Sequence, residues 1–138
     1  MEAVLGIGNE LKGDDGFALA VLQELEKAGS EKMLLWGGNS PESVLHKMRG
    51  KKIERLWIVD AADFGGKPGE LAETEKLPEK VVLSTHSTSL AQFVRYVKEE
   101  IGIQEVRLLL VQAKKLEFGE GMTKMVEKAV PKAVSLLF

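Results

Sequence analysis

The chain has 138 residues, of which 44% are hydrophobic and 29% are charged, and its formal net charge is −2. This length and composition predict one globular domain spanning residues 1–138. The weak charge argues against binding to nucleic acid or to an anionic membrane. The absence of cysteine excludes disulfides, thiolate metal ligands and a cysteine nucleophile, and it is typical of a reducing cytosol. Because no signal-peptide pattern and no apolar run of about 18 residues occurs, we expect a cytoplasmic protein.

Hydrophobic periodicity predicts strands that alternate with helices. Five strands are predicted at 2–6, 32–36, 56–59, 71–75 and 106–111. Helices are predicted over 14–28, from Pro41 onward, over 90–101 and after Thr123, which is the expected cap of the last helix. Pro131 is expected to kink or break that helix. The order of elements predicts the α/β class, as a three-layer α/β/α sandwich with a mostly parallel sheet.

A glycine-rich turn, GIGNELKGDDG, follows the first predicted strand at 6–16. The turn does not match a dinucleotide fingerprint, because Leu11 occupies the place of the third glycine and no acid ends the second strand. A Walker-type phosphate loop is excluded as well, since no Gly-Lys-Ser/Thr follows. One aspartate is enough to cap the next helix. The second member of the pair Asp14 and Asp15 is therefore available for chemistry.

All aspartates of the chain lie in two short stretches, at Asp14, Asp15, Asp60 and Asp63. Asp15, Asp60 and Gln112 each follow a predicted strand, so they should meet at one edge of the sheet, with His86 if its loop folds over. Two carboxylates and an imidazole can bind a divalent ion such as nickel or zinc, or can position a water as general base. The structural alternatives are a helix cap for Asp15 and turn hydrogen bonds for Asp60.

The other two aspartates are predicted to be structural. We expect Asp14 to help cap the first helix and Asp63 to order the loop before Pro68 and Gly69. Replacing either by asparagine is expected to lower stability modestly.

Four sequence blocks occur in an order that is typical of one enzyme family. They are Gly6-Ile7-Gly8-Asn9 with Asp14-Asp15-Gly16, Gly37-Gly38-Asn39-Ser40-Pro41-Glu42, Ile58-Val59-Asp60-Ala61-Ala62-Asp63 with Pro68-Gly69-Glu70, and Thr85-His86-Ser87. The chain thereby resembles the hydrogenase maturation endopeptidases, in particular the branch that serves formate-linked, energy-converting hydrogenases. The resemblance implies a phosphorylase/hydrolase-like fold. It also implies an endopeptidase, often classed as aspartic-type, that removes the C-terminal extension of a [NiFe]-hydrogenase large-subunit precursor after nickel insertion.

The resemblance implies roles for individual residues. Asp15, Asp60 and His86 take the positions of the family's catalytic and nickel-binding residues. Those that take positions in the substrate groove and its turns are Gly8, Asn9, Gly38, Asn39 and Gln112. Nickel is expected to arrive with the precursor and not as a permanently bound cofactor. The enzyme is expected to be a monomer whose partner is that precursor, with no nucleic acid or membrane involved. Ala113 departs from the family pattern, because many members have proline there.

Two other functions use some of the same residues. A nickel-sensing chaperone could bind the precursor without cleaving it, and the lack of a recognisable covalent nucleophile favours this alternative. A peptidyl-tRNA hydrolase-like esterase shares the opening Gly-x-Gly-Asn turn, but that activity needs a basic channel. The sequence leaves open which residue activates water and whether nickel serves only recognition or also polarises the scissile carbonyl.

Overall fold

The computed structural model describes residues 1–76, 82–83, 87–119 and 121–138, with the backbone alone for 82–83 and 87–89. The strands within these ranges are β1 Glu2–Ile7, β2 Met33–Gly38, β3 Arg55–Asp63, β4 Leu71–Thr74, β5 Val82–Leu83 and β6 Glu105–Gln112. They form one sheet in the order β2-β1-β3-β6-β4, and β5 pairs with β3. β1, β2, β3 and β6 are parallel, whereas β4 and β5 are antiparallel to their neighbours. The predicted mostly parallel sheet is confirmed.

Helices cover both faces of this sheet. They are α1 Phe17–Lys27, α2 Leu45–Met48, α3 Ser87–Tyr96 and α4 Lys124–Leu137, with 3-10 turns at Gly13–Gly16 and Pro41–Val44 and a π turn at Val97–Ile101. One apolar core lies between the sheet and α1 and α4, and a second lies between the sheet and α2 and α3. The three-layer α/β/α arrangement is therefore confirmed. No helix in the described ranges is both long and apolar enough to cross a membrane.

The central strand β3 contributes to both cores because its side chains alternate between the two faces of the sheet. Leu56 and Ile58 pack in the core under α2 and α3, whereas Trp57 and Val59 pack in the core under α1 and α4. The alternation places Asp60 on the same face as Ile58, toward α2 and α3.

The structure corrects the end of the third predicted strand and the kink or break predicted in the last helix. β3 continues past the predicted end at Val59, because Ala62 still pairs with Gln112 of β6. Asp60 therefore lies inside the strand and not after its end. The last helix runs unbroken through Pro131, which is exposed on its outer side. The hydrogen bond that this proline cannot donate would end on the carbonyl of exposed Glu127, which water can reach.

A ladder of charged side chains crosses the sheet at its amino edge, on the face that carries Trp57. The ladder residues, from β1 across to the end of β4, are Glu2, Arg55, Glu105, Arg107, Glu73 and Glu75. Arg55 and Arg107 place their guanidinium groups 5.9 and 5.7 Å from the centre of the Trp57 ring. The Arg55 Nε and Glu105 Oε2 atoms are 2.9 Å apart. The ladder thus covers the amino end of the core under α1 and α4 with charged side chains.

We predict that the ladder makes stability depend on pH through Glu105. Its hydrogen bond with Arg55, aided by the charge of Arg107, lowers the pKa of Glu105 below its ordinary value. A lowered carboxyl pKa stabilises the fold above the ordinary pKa, and this stability is lost as the pH falls through the lowered value. Arg55→Gln should therefore lower the melting temperature slightly at neutral pH, and the difference from wild type should shrink at about pH 3.

The matched control is Lys27→Gln, which removes an exposed ion pair with Glu24 on α1. Surface pairs of this kind contribute little, so its melting temperature should stay close to that of wild type at both pH values. A pH-independent loss in Arg55→Gln would mean that Arg55 acts through packing on Trp57 and not through Glu105.

Candidate functional site

The turn after β1 is folded back tightly on Asp15. The Asn9 N–H donates a hydrogen bond of 2.7 Å to the Asp15 carboxylate, which is buried. Gly8 has a φ of 149°, and a Cβ atom there would lie 2.2 Å from the Asp15 carbonyl oxygen. Only glycine suits this position, because a side chain would need an unfavourable backbone angle and would collide with Asp15. The predicted turn residues Gly8 and Asn9 thus set the position of the carboxylate.

The turn after β2 lies beside the turn that holds Asp15. The Gly8 N–H donates to the Gly38 carbonyl at 2.9 Å, and Gly38 adopts a positive φ of 56°. Asn39 follows and is exposed. The structure therefore places Gly8, Gly38 and Asn39 at the carboxyl edge of the sheet, next to Asp15.

Asp60 is a second buried carboxylate close to this edge. Its side chain is fully buried, and its Oδ1 accepts a hydrogen bond of 2.8 Å from the Ala61 N–H. Asp60 comes directly after Val59, the last residue of β3 that pairs with β1. The 3-10 turn that carries Asp15 contacts β3. The two buried carboxylates therefore lie on neighbouring segments.

The third predicted ligand, His86, lies outside the described residues. α3 begins directly after it, at Ser87, and packs on the face of the sheet toward which Asp60 points. In the part of the chain that the structure describes, no group of three His, Cys, Asp or Glu side chains is arranged to hold a metal ion. The three-residue nickel site stays a prediction.

Gln112, predicted in the substrate groove, is buried at the end of β6 and holds the loop after β3. Its Oε1 accepts hydrogen bonds from the Phe64 N–H at 2.9 Å and the Gly66 N–H at 3.0 Å. Its Nε2 donates to Asp63 Oδ1 at 3.1 Å, and this carboxylate also accepts from the Gly65 N–H. Asp63 therefore orders the loop, as expected of it. The hydrogen bonds to this loop already use both the oxygen and the nitrogen of the Gln112 amide. Direct contact between Gln112 and a substrate stays a prediction.

The departure at Ala113 has a structural consequence. The Ala113 N–H donates a hydrogen bond of 2.9 Å to the Ala62 carbonyl, directly after the pairing of Ala62 with Gln112. Proline has no N–H and could not make this bond. In this chain, the β3–β6 pairing is therefore extended by one residue into the loop after β6.

Asp14 does not cap the first helix, which corrects the expectation from sequence. Neither the 3-10 turn nor α1 has a side-chain cap. The fully buried Asp14 carboxylate instead accepts hydrogen bonds from the Lys114 N–H at 2.8 Å, the Lys115 N–H at 2.9 Å, the Thr123 N–H at 2.7 Å and the Thr123 hydroxyl at 2.9 Å. Its own N–H donates to the Lys115 carbonyl. Asp14 thus joins the turn of Asp15 to the loop after β6.

The start of α4 explains why Asp14 binds there. The first N–H groups of a helix have no partner within the helix, and a carboxylate at that end is favoured by the helix dipole. Thr123 occupies the cap position, as predicted, but its hydroxyl donates to Asp14 and makes no capping bond. The sequence did not predict the contact between Asp14 and Thr123, because these two residues are 109 positions apart.

Comparison with known proteins identifies the family. The family model described as hydrogenase maturation protease, HycI, matches residues 19–138. The hydrogenase 3 maturation protease of Escherichia coli strain K12 is 31% identical over 132 residues, which cover 94% of this chain and 83% of that protein. The chain belongs to the hydrogenase maturation protease family. This maturation protease is therefore a hydrolase of the endopeptidase kind, as the resemblance implied.

Solved structures agree with this family. The crystal structure of the [NiFe] hydrogenase maturation protease HycI from Thermococcus kodakarensis KOD1 superposes with a TM-score of 0.83 at 28% identity, covering 99% of this chain and 89% of that chain. The solution structure of the endopeptidase HycI from Escherichia coli gives a TM-score of 0.78 at 27% identity, over 98% of this chain and 87% of that one. The fold of this maturation protease is thus shared over nearly its whole length.

We predict that Asp14→Asn destabilises this maturation protease strongly. An asparagine side chain has one acceptor oxygen, so its NH2 group must face N–H donors that Asp14 now satisfies. Leaving buried donors without a charged acceptor should lower the free energy of unfolding by about 2–4 kcal/mol, measured by denaturant titration. This exceeds the modest loss expected from sequence.

The matched control is Asp63→Asn, because Asp63 is exposed and its bonds run through one oxygen. Asparagine can keep that oxygen, so the loss should stay below about 1 kcal/mol. Equal losses in the two variants would contradict the role assigned to Asp14.

We also predict that Gly8→Ala impairs the site more than a comparable glycine replacement. A methyl group at Gly8 must displace Asp15, whereas at Gly29, which has a φ of 77°, it meets nothing within 4 Å. Both variants bear the strain of a positive φ, about 1–3 kcal/mol. Only Gly8→Ala should lose most of its precursor cleavage, measured by mass spectrometry of the product. Similar activity in the two variants would show that the turn tolerates a shift of Asp15.

Proposed function

We propose that this maturation protease removes a C-terminal extension from the large-subunit precursor of a [NiFe] hydrogenase, after nickel has been inserted into that precursor. The observation that carries the proposal is the pair of buried carboxylates, Asp15 and Asp60, on neighbouring segments near the carboxyl edge of the sheet. The family and the endopeptidase relatives support the reaction class. We further propose that the enzyme acts as a monomer in the cytoplasm, which its cysteine-free sequence suits.

The proposed role of the pair follows from the chemistry of its side chains. Carboxylates and imidazole are suitable ligands for divalent nickel. Asp15, Asp60 and His86 would add oxygen and nitrogen ligands to an ion that the precursor already holds. Nickel would thus belong to the substrate and would tether the scissile segment beside the carboxylates. A precursor without nickel would lack this link and would be held poorly.

The proposed hydrolysis needs one base and no covalent intermediate. One of the two carboxylates takes a proton from a water, whose oxygen bonds to the scissile carbonyl carbon. The C–N bond then breaks, and the proton passes to the leaving amine. Burial of Asp15 and Asp60 strengthens their interactions with the reacting atoms, because the local dielectric is low. The hydrogen bond from Asn9 fixes the direction of the Asp15 carboxylate.

Neither alternative function is favoured. A chaperone that binds without cleaving does not fit relatives described as proteases and endopeptidases. An esterase acting on peptidyl-tRNA does not fit the net charge of −2 or the family match. Both alternatives predict that the precursor keeps its full mass.

We predict that cleavage depends on nickel in the precursor and on the proposed ligands. Wild-type enzyme should cleave nickel-loaded precursor several-hundredfold faster than metal-free precursor, which corresponds to about 3–4 kcal/mol of binding. Asp15→Asn, Asp60→Asn and His86→Ala should each abolish cleavage of the loaded precursor. The measurement is mass loss of the precursor over time, with folding of each variant checked by circular dichroism.

The control for these variants is Asp63→Asn, which changes the aspartate at the end of β3 but should leave cleavage measurable. Equal cleavage of loaded and metal-free precursor by wild type would show that the site does not sense nickel. Loaded precursor that binds and keeps its mass would instead support the chaperone.

A further inference from the structure

Two apolar side chains project beside the candidate site. Leu11 and Phe118 have exposed fractions of 67% and 69%, the highest among large hydrophobic residues in the described ranges. The Gly119 N–H donates a hydrogen bond of 3.1 Å to the Leu11 carbonyl, so the two loops lie against each other. Both residues border a shallow cavity of about 230 Å³. We call Leu11 and Phe118 the apolar lip.

The apolar lip is connected to Asp15 through the backbone of one turn. The Leu11 N–H donates to the Asn9 side-chain oxygen at 2.9 Å, and the Asn9 N–H donates to the Asp15 carboxylate at 2.7 Å. The other half of the lip is held by Asp14, whose carboxylate binds the backbone of Lys114 in the Phe118 loop. The lip and the candidate site are therefore parts of one hydrogen-bonded unit.

The surroundings of the lip resemble a small protein-binding surface. Charged residues form its rim: the Lys12 Nζ lies 5.2 Å from the centre of the Phe118 ring, and Glu10 borders the same cavity. An apolar centre with a charged rim is typical of interfaces. Removing apolar side chains from water is favourable, so covering the lip would stabilise a complex. Stable interfaces between folded proteins bury about 1,200–2,000 Å². Two side chains form a much smaller surface, so the lip suits a peptide segment.

We propose that the apolar lip binds the segment of the hydrogenase large-subunit precursor next to the scissile bond, with an apolar side chain of that segment between Leu11 and Phe118. This proposal rests on the proposed function. Its basis is continuity: a peptide bond that reaches Asp15 brings its flanking residues past the turn on which Leu11 lies. The lip would then add to the binding energy that nickel supplies. It would also set the direction in which the precursor segment crosses the site.

The test removes both apolar side chains and compares the result with a matched pair elsewhere. The variant is Leu11→Ser with Phe118→Ser. The control is Leu136→Ser with Phe138→Ser, another exposed leucine and phenylalanine, with exposed fractions of 54% and 56%. Phe138 lies at the amino edge of the sheet, in a cavity that Met1 also lines. Thermal unfolding of both variants should match wild type, because all of these side chains are exposed.

The expected result is a shift in KM. With nickel-loaded precursor, the lip variant should raise KM at least tenfold and leave kcat within about twofold, since the lip holds the substrate without taking part in bond breaking. Equilibrium binding of fluorescently labelled precursor should weaken by the same factor. The control variant should match wild type in both measurements. If the double variant unfolds early, the single variants Leu11→Ser and Phe118→Ser are measured in the same way.

Other outcomes separate this proposal from the proposed function. A wild type that binds precursor without cleaving it overturns the protease function, while weaker binding by the lip variant still supports the lip. Cleavage by wild type with unchanged KM and binding in the lip variant overturns the lip alone. Sedimentation that shows a wild-type dimer and a monomeric lip variant also overturns it, because a second copy would then cover this surface. Absence of both binding and cleavage in wild type overturns both proposals.

Discussion

The candidate site depends on the hydrogen bonds that the Asp14 carboxylate accepts. A buried charge is tolerated only where hydrogen bonds compensate for lost hydration. Here the compensation comes from the backbone of Lys114 and Lys115 and from both donors of Thr123. Three segments are thereby fixed to one carboxylate: the turn that carries Asp15, the loop after β6 and the cap residue of α4. Since most of the donors are backbone groups, their positions follow from the fold and not from side-chain identity.

The remaining loops at the carboxyl edge are joined by similar bonds. Gln112 holds the loop after β3, and the Gly8–Gly38 hydrogen bond joins the turns after β1 and β2. The loops around Asp15 and Asp60 therefore form a connected unit whose geometry is set before any substrate binds. Such pre-organisation reduces the entropy lost when reacting groups are brought together. It also means that Gln112 serves the site through the backbone that it positions.

The sequence predicted five of the six strands that the structure describes, the order of the helices among them, the mostly parallel sheet and the family. These depend on hydrophobic periodicity and on contiguous blocks of residues, whereas the two-residue strand β5 is too short to show periodicity. It did not predict the hydrogen-bond partners of Asp14 or Gln112, because these partners are distant in the sequence. Thr123 is 109 residues from Asp14, and Phe64 is 48 residues from Gln112. Local patterns predict a helix cap for such an aspartate, whereas the tertiary fold offers it better donors. The sequence placed Asp60 after the end of β3, because the apolar run stops at Val59. In the structure β3 continues beyond Asp60 because it pairs with β6, and hydrophobic periodicity cannot show this pairing.

The two edges of the sheet divide stability and function between them. At the amino edge, the charged ladder around Trp57 closes the core through ion pairs that need no precise geometry toward a ligand. At the carboxyl edge, the buried carboxylates are an arrangement that a fold selected for stability alone would avoid. A site can hold them because the Asp14 bonds fix the backbone around them. Asp15 and Asp60 thus lie at the same edge of the sheet as Leu11 and Phe118, so a substrate bound at the proposed site would meet both the carboxylates and the apolar lip.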